Sequence, residues 1–212
     1  ISEEEGGAIY VLKGSPIIKN STIKNNNAAS KGGGIYLNAS SISIENTIID
    51  NNVVDPGQGE ARFGGGIYSY NSTLNISNSS ILNNDIGSTG SAPGGAIFVD
   101  NEERSQLGTN YFYNLEIRGN KSDWGSGFYI QDASAVIRNC VISGNVSERK
   151  GAIYNKNSDV KVFNTTIAGN TASSTNAAGG IFCENLSVPM YVINSIISYN
   201  SSPQFGYDFG IN

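Results

Sequence analysis

Apolar and polar positions alternate along this chain in short runs that return at a steady interval. Ile42-x-Ile44-x-Asn46, Leu74-x-Ile76-x-Asn78 and Val160-x-Val162-x-Asn164 each alternate with period two and end on asparagine. That is the pattern of a strand with one face buried. Upstream stands a glycine element with an aliphatic and an aromatic residue: Gly6-Gly7-Ala8-Ile9-Tyr10, Gly32-Gly33-Gly34-Ile35-Tyr36, Gly64-Gly65-Gly66-Ile67-Tyr68 and Gly94-Gly95-Ala96-Ile97-Phe98. Worn copies follow at Gly125-Ser126-Gly127-Phe128-Tyr129, Lys150-Gly151-Ala152-Ile153-Tyr154 and Gly179-Gly180-Ile181-Phe182. From Ile9 through Ile35, Ile67, Ile97, Phe128, Ile153 and Ile181 the steps are 26, 32, 30, 31, 25 and 28 residues. A period of this size marks a repeat architecture, in which each unit buries its apolar face only against its neighbours.

The second half of each unit is as regular. Asn20, Asn46, Asn78, Asn114, Asn139, Asn164 and Asn194 are each followed three residues later by isoleucine and six later by Asn26, Asn52, Asn84, Asn120, Asn145, Asn170 and Asn200. Glycine in every unit, β-branched richness and Asn or Ser at each boundary disfavour helix. Three short strands per unit, repeated in register, predict one all-β domain over residues 1–212: a right-handed parallel β-helix of about seven coils. The first asparagine of each pair is expected to form an internal or corner ladder of stacked carboxamides, as asparagines do in other stacked parallel sheets. Residues 53–63, 87–93, 101–110 and 170–178 are expected as insertions at turns.

After each glycine element the strand carries two alternating sets of side chains. Charge occurs only in the set containing Tyr10, Tyr36, Tyr68, Phe98, Tyr129, Tyr154 and Phe182, so that set is expected to face outward. One ring per coil makes a stripe roughly 30 Å long at strand spacing. It is either a stack that stabilises the sheet, covered or not by inserted loops, or a binding platform for sugar rings or a neighbouring protein.

Composition narrows the chemistry. Charge is low at 15 % and the net charge is −5, which leaves no electrostatic footprint for nucleic acid. No apolar run is long enough to span a bilayer as a helix, so membrane insertion by this segment is not expected. Without histidine, and with only Cys140 and Cys183 as thiols, neither a metal site nor a cofactor is expected. Two coils apart, the cysteines would stand about 10 Å from each other, beyond the roughly 7 Å limit for a disulfide. They are expected as buried, reduced thiols.

The acids Asp100 and Glu184 lie on the aromatic face with Lys156 between them and Gln131 beside it. Three coils apart, about 14 Å at strand spacing, the two carboxylates are too far for a glycosidase pair. Asp55, Glu60, Arg62, Glu102, Glu103 and Arg104 read as loop solubility charges. Among many Asn-x-Ser/Thr sequons, Asn38, Asn71 and Asn185 are the accessible candidates for glycosylation, while Asn145 falls in a buried column. The chain starts at Ile1, directly before a repeat, and neither end carries a capping helix. It is therefore expected to be a segment of a longer protein or to self-associate through its open strand edges.

The glycine element joined to hydrophobic-x-x-Asn, carried by Gly6-Gly7-Ala8-Ile9 and Ile23-Lys24-Asn25-Asn26 and their successors, resembles the paired motifs of chlamydial polymorphic outer-membrane proteins. More broadly it is similar to right-handed β-helix repeats of bacterial and archaeal adhesin-like surface proteins. Ile stands here where the chlamydial repeats prefer Phe. The resemblance implies a secreted or cell-surface module, structural or adhesin-like and non-catalytic, stacking into stalks or filaments and meeting a glycan or a surface protein of a partner cell. The competing reading on the same fold is a polysaccharide lyase, a glycoside hydrolase or a carbohydrate-binding module, with Asp100, Lys156 and Glu184 as its column.

Overall fold

The computed structural model describes residues 5–55, 62–87, 92–102, 107–185, 189–203 and 208–211. Of the loop charges named above, Glu60, Glu103 and Arg104 lie outside these ranges. Every strand pairs in parallel with its equivalent one repeat away, and the chain forms a β-solenoid of stacked coils. The first wall has eight strands: Ile9–Leu12, Ile35–Asn38, Ile67–Tyr70, Ile97–Asp100, Phe128–Gln131, Ile153–Lys156, Ile181–Glu184 and Phe209–Ile211. The second wall runs from Ile17–Lys19 to Tyr191–Ile193 and the third from Thr22–Lys24 to Ile196–Ser198, each of seven strands. A short fourth wall links Asn27–Ala28 and Val53–Val54 with Lys121–Trp124, Val146–Lys150 and Thr171–Ala172, bridged at Asp85. Register is strict in the first three walls, Ile9 pairing with Ile35, then Ile67, Ile97, Phe128, Ile153 and Ile181.

What turns the chain at each corner is a residue in the left-handed region. Asn20, Asn46, Asn78, Asn114, Asn139, Asn164 and Asn194 all have φ between 49° and 57° and sit between the second and third walls. Asn25, Asn51, Asn83, Gly119, Gly144, Gly169 and Tyr199 do the same one corner later. Asparagine and glycine tolerate this conformation best, which explains an Asn-rich chain with almost no helix former at its boundaries.

The ladder therefore differs from expectation. Asn20, Asn46, Asn78, Asn114, Asn139, Asn164 and Asn194 are exposed, because a residue that takes the turn itself directs its side chain off the corner. Their amides link in pieces, Asn46 to Asn20 (3.2 Å), Asn114 to Asn78 (2.9 Å) and Asn164 to both Asn139 (3.2 Å) and Asn194 (3.1 Å). The continuous, buried ladder is the second column. In Asn52, Asn84, Asn120, Asn145 and Asn170, each Oδ1 accepts the backbone N–H and an Nδ2–H of the rung before. Each Nδ2 also donates to the isoleucine carbonyl of the previous coil, such as Ile23 or Ile81. No donor or acceptor of these carboxamides is wasted.

Inside the tube, columns of aliphatic residues pack coil on coil: Ile35, Ile67, Ile97 and Ile153 from the first wall, Ile44, Ile76, Ile137 and Val162 from the second, Ile49, Ile81, Ile142 and Ile167 from the third. Cys140 and Cys183 are buried free thiols, and burial pushes them up to about 11 and about 12. Two fully buried polar residues, Ser69 and Asn155, break the aliphatic register of one inward column. Asn155 replaces the residue that is Leu37, Val99 or Ile130 in other coils, is fully buried, and has neither amide atom paired among the described residues. An unpaired buried polar group costs about 1–3 kcal/mol. Asn155→Val, of similar size, is expected to raise the melting temperature by several degrees; an unchanged or lower value would mean that the amide is satisfied in solution.

Candidate functional site

The alternation of the first wall sends the aromatic column away from the lumen, as the charge pattern requires. The rings stack in file, with centroids 5.1 Å apart for Tyr10–Tyr36, 5.2 Å for Tyr36–Tyr68, 5.1 Å for Tyr68–Phe98 and 4.5 Å for both Phe98–Tyr129 and Tyr129–Tyr154. Phe182 ends the file edge-on to Tyr154. The column is not an open stripe. Tyr36, Tyr68, Phe98, Tyr129, Tyr154 and Phe182 are all at most 6 % exposed, and only Tyr10, on the first coil, stands 47 % exposed. Phe63, Tyr70, Trp124 and Ala178 lie against the rings and form a second apolar core outside the tube.

The expectation of a ring platform open to ligand fails for a physical reason. Outward from a solenoid wall is not the same as exposed to water: Phe63 closes the insertion that begins at Val53 and Ala178 the one that begins at Asn170, and both pack back on the sheet. Trp124 ends a fourth-wall strand and meets Tyr154 edge-on at 5.9 Å. An inserted segment that returns aromatic or small residues next to a glycine element was the available sequence signal.

The polar residues beside the rings form one connected edge. Register places Asp100, Gln131, Lys156 and Glu184 on consecutive strands, in that order. Tyr68 donates its hydroxyl to Asp100 Oδ2 (3.1 Å), Gln131 Nε2 donates to Asp100 Oδ1 (3.2 Å), and Tyr129 donates to Gln131 Oε1 (2.7 Å). Tyr154 donates to Glu184 Oε2 (2.8 Å), which Lys150 Nζ approaches at 3.6 Å while lying 3.9 Å from the Phe182 ring centroid. Burial holds the Asp100 carboxyl above its ordinary range, the Tyr68 hydrogen bond opposing that shift. Burial likewise raises the phenols of Tyr36, Tyr68, Tyr129 and Tyr154, with the charge of Glu5 adding to it at Tyr36, Asp100 at Tyr68 and Tyr129, and Glu184 at Tyr129 and Tyr154. These acids act as acceptors for tyrosine hydroxyls. No group of three or more His, Cys, Asp or Glu among the described residues is placed to hold a metal ion.

The remaining sequence candidates are dispersed. Asn38 and Asn71 are half-buried at the end of first-wall strands, Asn71 Oδ1 accepting from Glu102 N, and Asn185 is exposed at the same corner. Asn145 is fully buried in the ladder. A feature without any sequence signal is a groove of about 300 Å³ on the fourth wall, lined by Asp85, Lys121, Val146, Glu148 and Ser173. Its residues come from four successive coils and align only once the register is known.

A family model described as the right handed beta helix region matches residues 1–171. No curated protein and no solved structure matches the chain.

Proposed function

The chain belongs to the right-handed β-helix family, and on that premise we propose that it is a non-catalytic structural and adhesin-like module of a secreted or cell-surface protein. The observation that carries this reading is the use made of the two column acids: Asp100 and Glu184 each hold a tyrosine hydroxyl, and Asp100 a glutamine amide as well, so the aromatic outward face of the first wall is occupied with its own packing. A carboxylate engaged in this way is a poor general acid or base, which must reach its proton in a substrate pose. Rigidity along the tube, from a buried ladder and a ring stack, is what a spacer or stalk needs.

Recognition, on this reading, moves from the rings to the side where the chain is irregular. The insertions after Val53, Ile86 and Thr171 all emerge at the same edge, between the fourth and first walls, next to the groove at Asp85 and Lys121. Loops carried on a rigid scaffold are where binding residues concentrate. A glycan or a partner-cell protein would be met there, and a carbohydrate-binding module is the second reading that the groove favours.

The test pairs binding with turnover. The chain is presented to a glycan array and, in parallel, incubated with acidic polysaccharides while ultraviolet absorbance and reducing ends are followed. Binding that Lys121→Ala weakens, without turnover, is the expected result. Unsaturated product or new reducing ends lost in Asp100→Asn or Glu184→Gln would overturn the non-catalytic reading.

A further inference from the structure

One ring packed on the covered aromatic column differs from the rest. Trp124 is the chain's single tryptophan, half-buried against the column, with its ring centroid 5.9 Å from that of Tyr154 and 6.5 Å from that of Tyr129. Its Nε1–H is buried and has no hydrogen-bond partner among the described residues. Tyr154 and Tyr129 stack on each other at 4.5 Å and are 0 % and 3 % exposed. Three electron-rich rings thus lie side by side, one of them partly reachable from solvent and two covered.

The two phenols differ in what accepts their protons. Tyr154 donates to Glu184 Oε2 at 2.8 Å, a carboxylate able to take the proton, whereas Tyr129 donates to Gln131 Oε1 at 2.7 Å, an amide oxygen that accepts a hydrogen bond but is no base near neutral pH. That difference decides which ring can give up an electron. Oxidising a phenol leaves a strongly acidic radical cation, and in a buried site the charge is costly unless the proton leaves as well. A base within hydrogen-bond distance lets both go together. Lys150 Nζ, 3.6 Å from Glu184 Oε2, loses its carboxylate partner when Glu184 is protonated but keeps a cation–π contact, 3.9 Å from the Phe182 ring centroid. Phe98, next in the file at 4.5 Å from Tyr129, is a phenyl ring far harder to oxidise than a phenol, and it bounds the set.

We infer that Trp124, Tyr154 and Glu184 form a one-electron relay, in which an oxidising equivalent that reaches the half-buried indole passes to the fully buried Tyr154 and is held there as a phenoxyl radical. The co-reactant is a one-electron oxidant of the peroxyl-radical class, which takes one electron from Trp124. With no acceptor for its N–H, the indole remains a radical cation until it takes an electron from Tyr154. As that electron leaves, the phenol O–H bond breaks and its proton passes to Glu184 Oε2. The products are neutral Trp124, a Tyr154 phenoxyl radical and a protonated Glu184, so the three groups together carry no net charge before or after the transfer. The radical ends on a ring without exposed surface, and the indole is spared further oxidation. The relay uses no ligand and no partner, so it stands or falls apart from the surface-module reading.

The test exposes the folded chain at neutral pH to a pulse of azide radicals, a one-electron oxidant of indole, and follows the indolyl and phenoxyl absorbances in time. With one tryptophan in the chain, the indolyl signal reports Trp124 alone. In the original chain it is expected to decay as phenoxyl signal grows. Tyr154→Phe keeps the ring stack, and Glu184→Gln keeps an acceptor for the hydroxyl but no base. In each, the indolyl lifetime is expected to lengthen about tenfold or more, the effect of a barrier raised by about 1.4 kcal/mol. Tyr129→Phe, which removes the neighbouring phenol that has no base, is expected to leave the lifetime unchanged. After prolonged oxidation, mass spectrometry is expected to find more oxidised Trp124 in Tyr154→Phe than in the original chain. An indolyl lifetime that Tyr154→Phe leaves unchanged would overturn the inference, as would decay in Glu184→Gln as fast as in the original, or equal lengthening in Tyr129→Phe and Tyr154→Phe, each variant being compared at unaltered circular dichroism.

Discussion

Asn120→Ala is expected to cost about 3–5 kcal/mol, near the top of what single substitutions do. The carboxamide is fully buried, its Oδ1 accepts from Asn84 N and Nδ2, both at 2.9 Å, and its Nδ2 donates to Ile81 O and Asn145 Oδ1. Alanine leaves two buried donors of Asn84 without an acceptor and the Ile81 carbonyl without this donor. At this chain length the loss corresponds to a fall in melting temperature of roughly 10 °C. Asn139→Ala, one coil on and in the exposed column, is expected to cost only about 1–2 kcal/mol, and for another reason: φ is 55° there, and alanine strains the left-handed conformation. Asn139→Gly should recover that loss, whereas Asn120→Gly should not recover the other. Equal melting temperatures for Asn120→Ala and Asn139→Ala would show that the buried ladder contributes nothing beyond its corner.

The contrast between these two asparagines also marks how far the sequence can be read. Period, strand alternation and the inward and outward sets were all legible, because side chains in a strand alternate by geometry alone and a repeat imposes one register on every coil. Both asparagine columns were visible too. Their roles were not, because seven recurrences look the same whether the residue turns the backbone or hangs inside the turn. The residue before each second asparagine held the answer: Asn25, Asn51, Asn83, Gly119, Gly144 and Gly169 are types that accept positive φ, so they take the corner and leave Asn26 to Asn170 to point back between the coils. The covering of the aromatic column was less accessible. It depends on where Phe63 and Trp124 land after an insertion and a fourth-wall strand, and loop paths are not periodic. The groove at Asp85, Lys121 and Glu148 required residues from separate coils to be aligned through a wall with short, bulged pairing.

The covered column is expected to make the protein sensitive to alkali. Tyr36, Tyr68, Tyr129 and Tyr154 are at most 4 % exposed, and burial, reinforced at Tyr68 and Tyr129 by the Asp100 charge and at Tyr154 by its Tyr129 and Glu184 neighbours, lifts each phenol well above the ordinary value of 10.0. A group whose pKa is higher folded than unfolded contributes stability that is intact below the unfolded value and is lost as pH rises above it. The window therefore opens near pH 10. At pH 11 each such tyrosine has lost about 1.4 kcal/mol relative to the unfolded chain, and four together on the order of 5 kcal/mol, comparable with the whole stability of many domains. The chain is expected to unfold cooperatively near pH 11, the phenolate absorbance of these four tyrosines rising together with the loss of β-type circular dichroism. Tyr36→Phe keeps the ring stack and removes one ionisable group, so the decline of stability above pH 10 should be shallower by one tyrosine's share. Phenolate absorbance that reaches the amplitude of all eleven tyrosines by pH 11 with circular dichroism unchanged would mean that the rings are reached by water, and the open stripe would return as a candidate binding face.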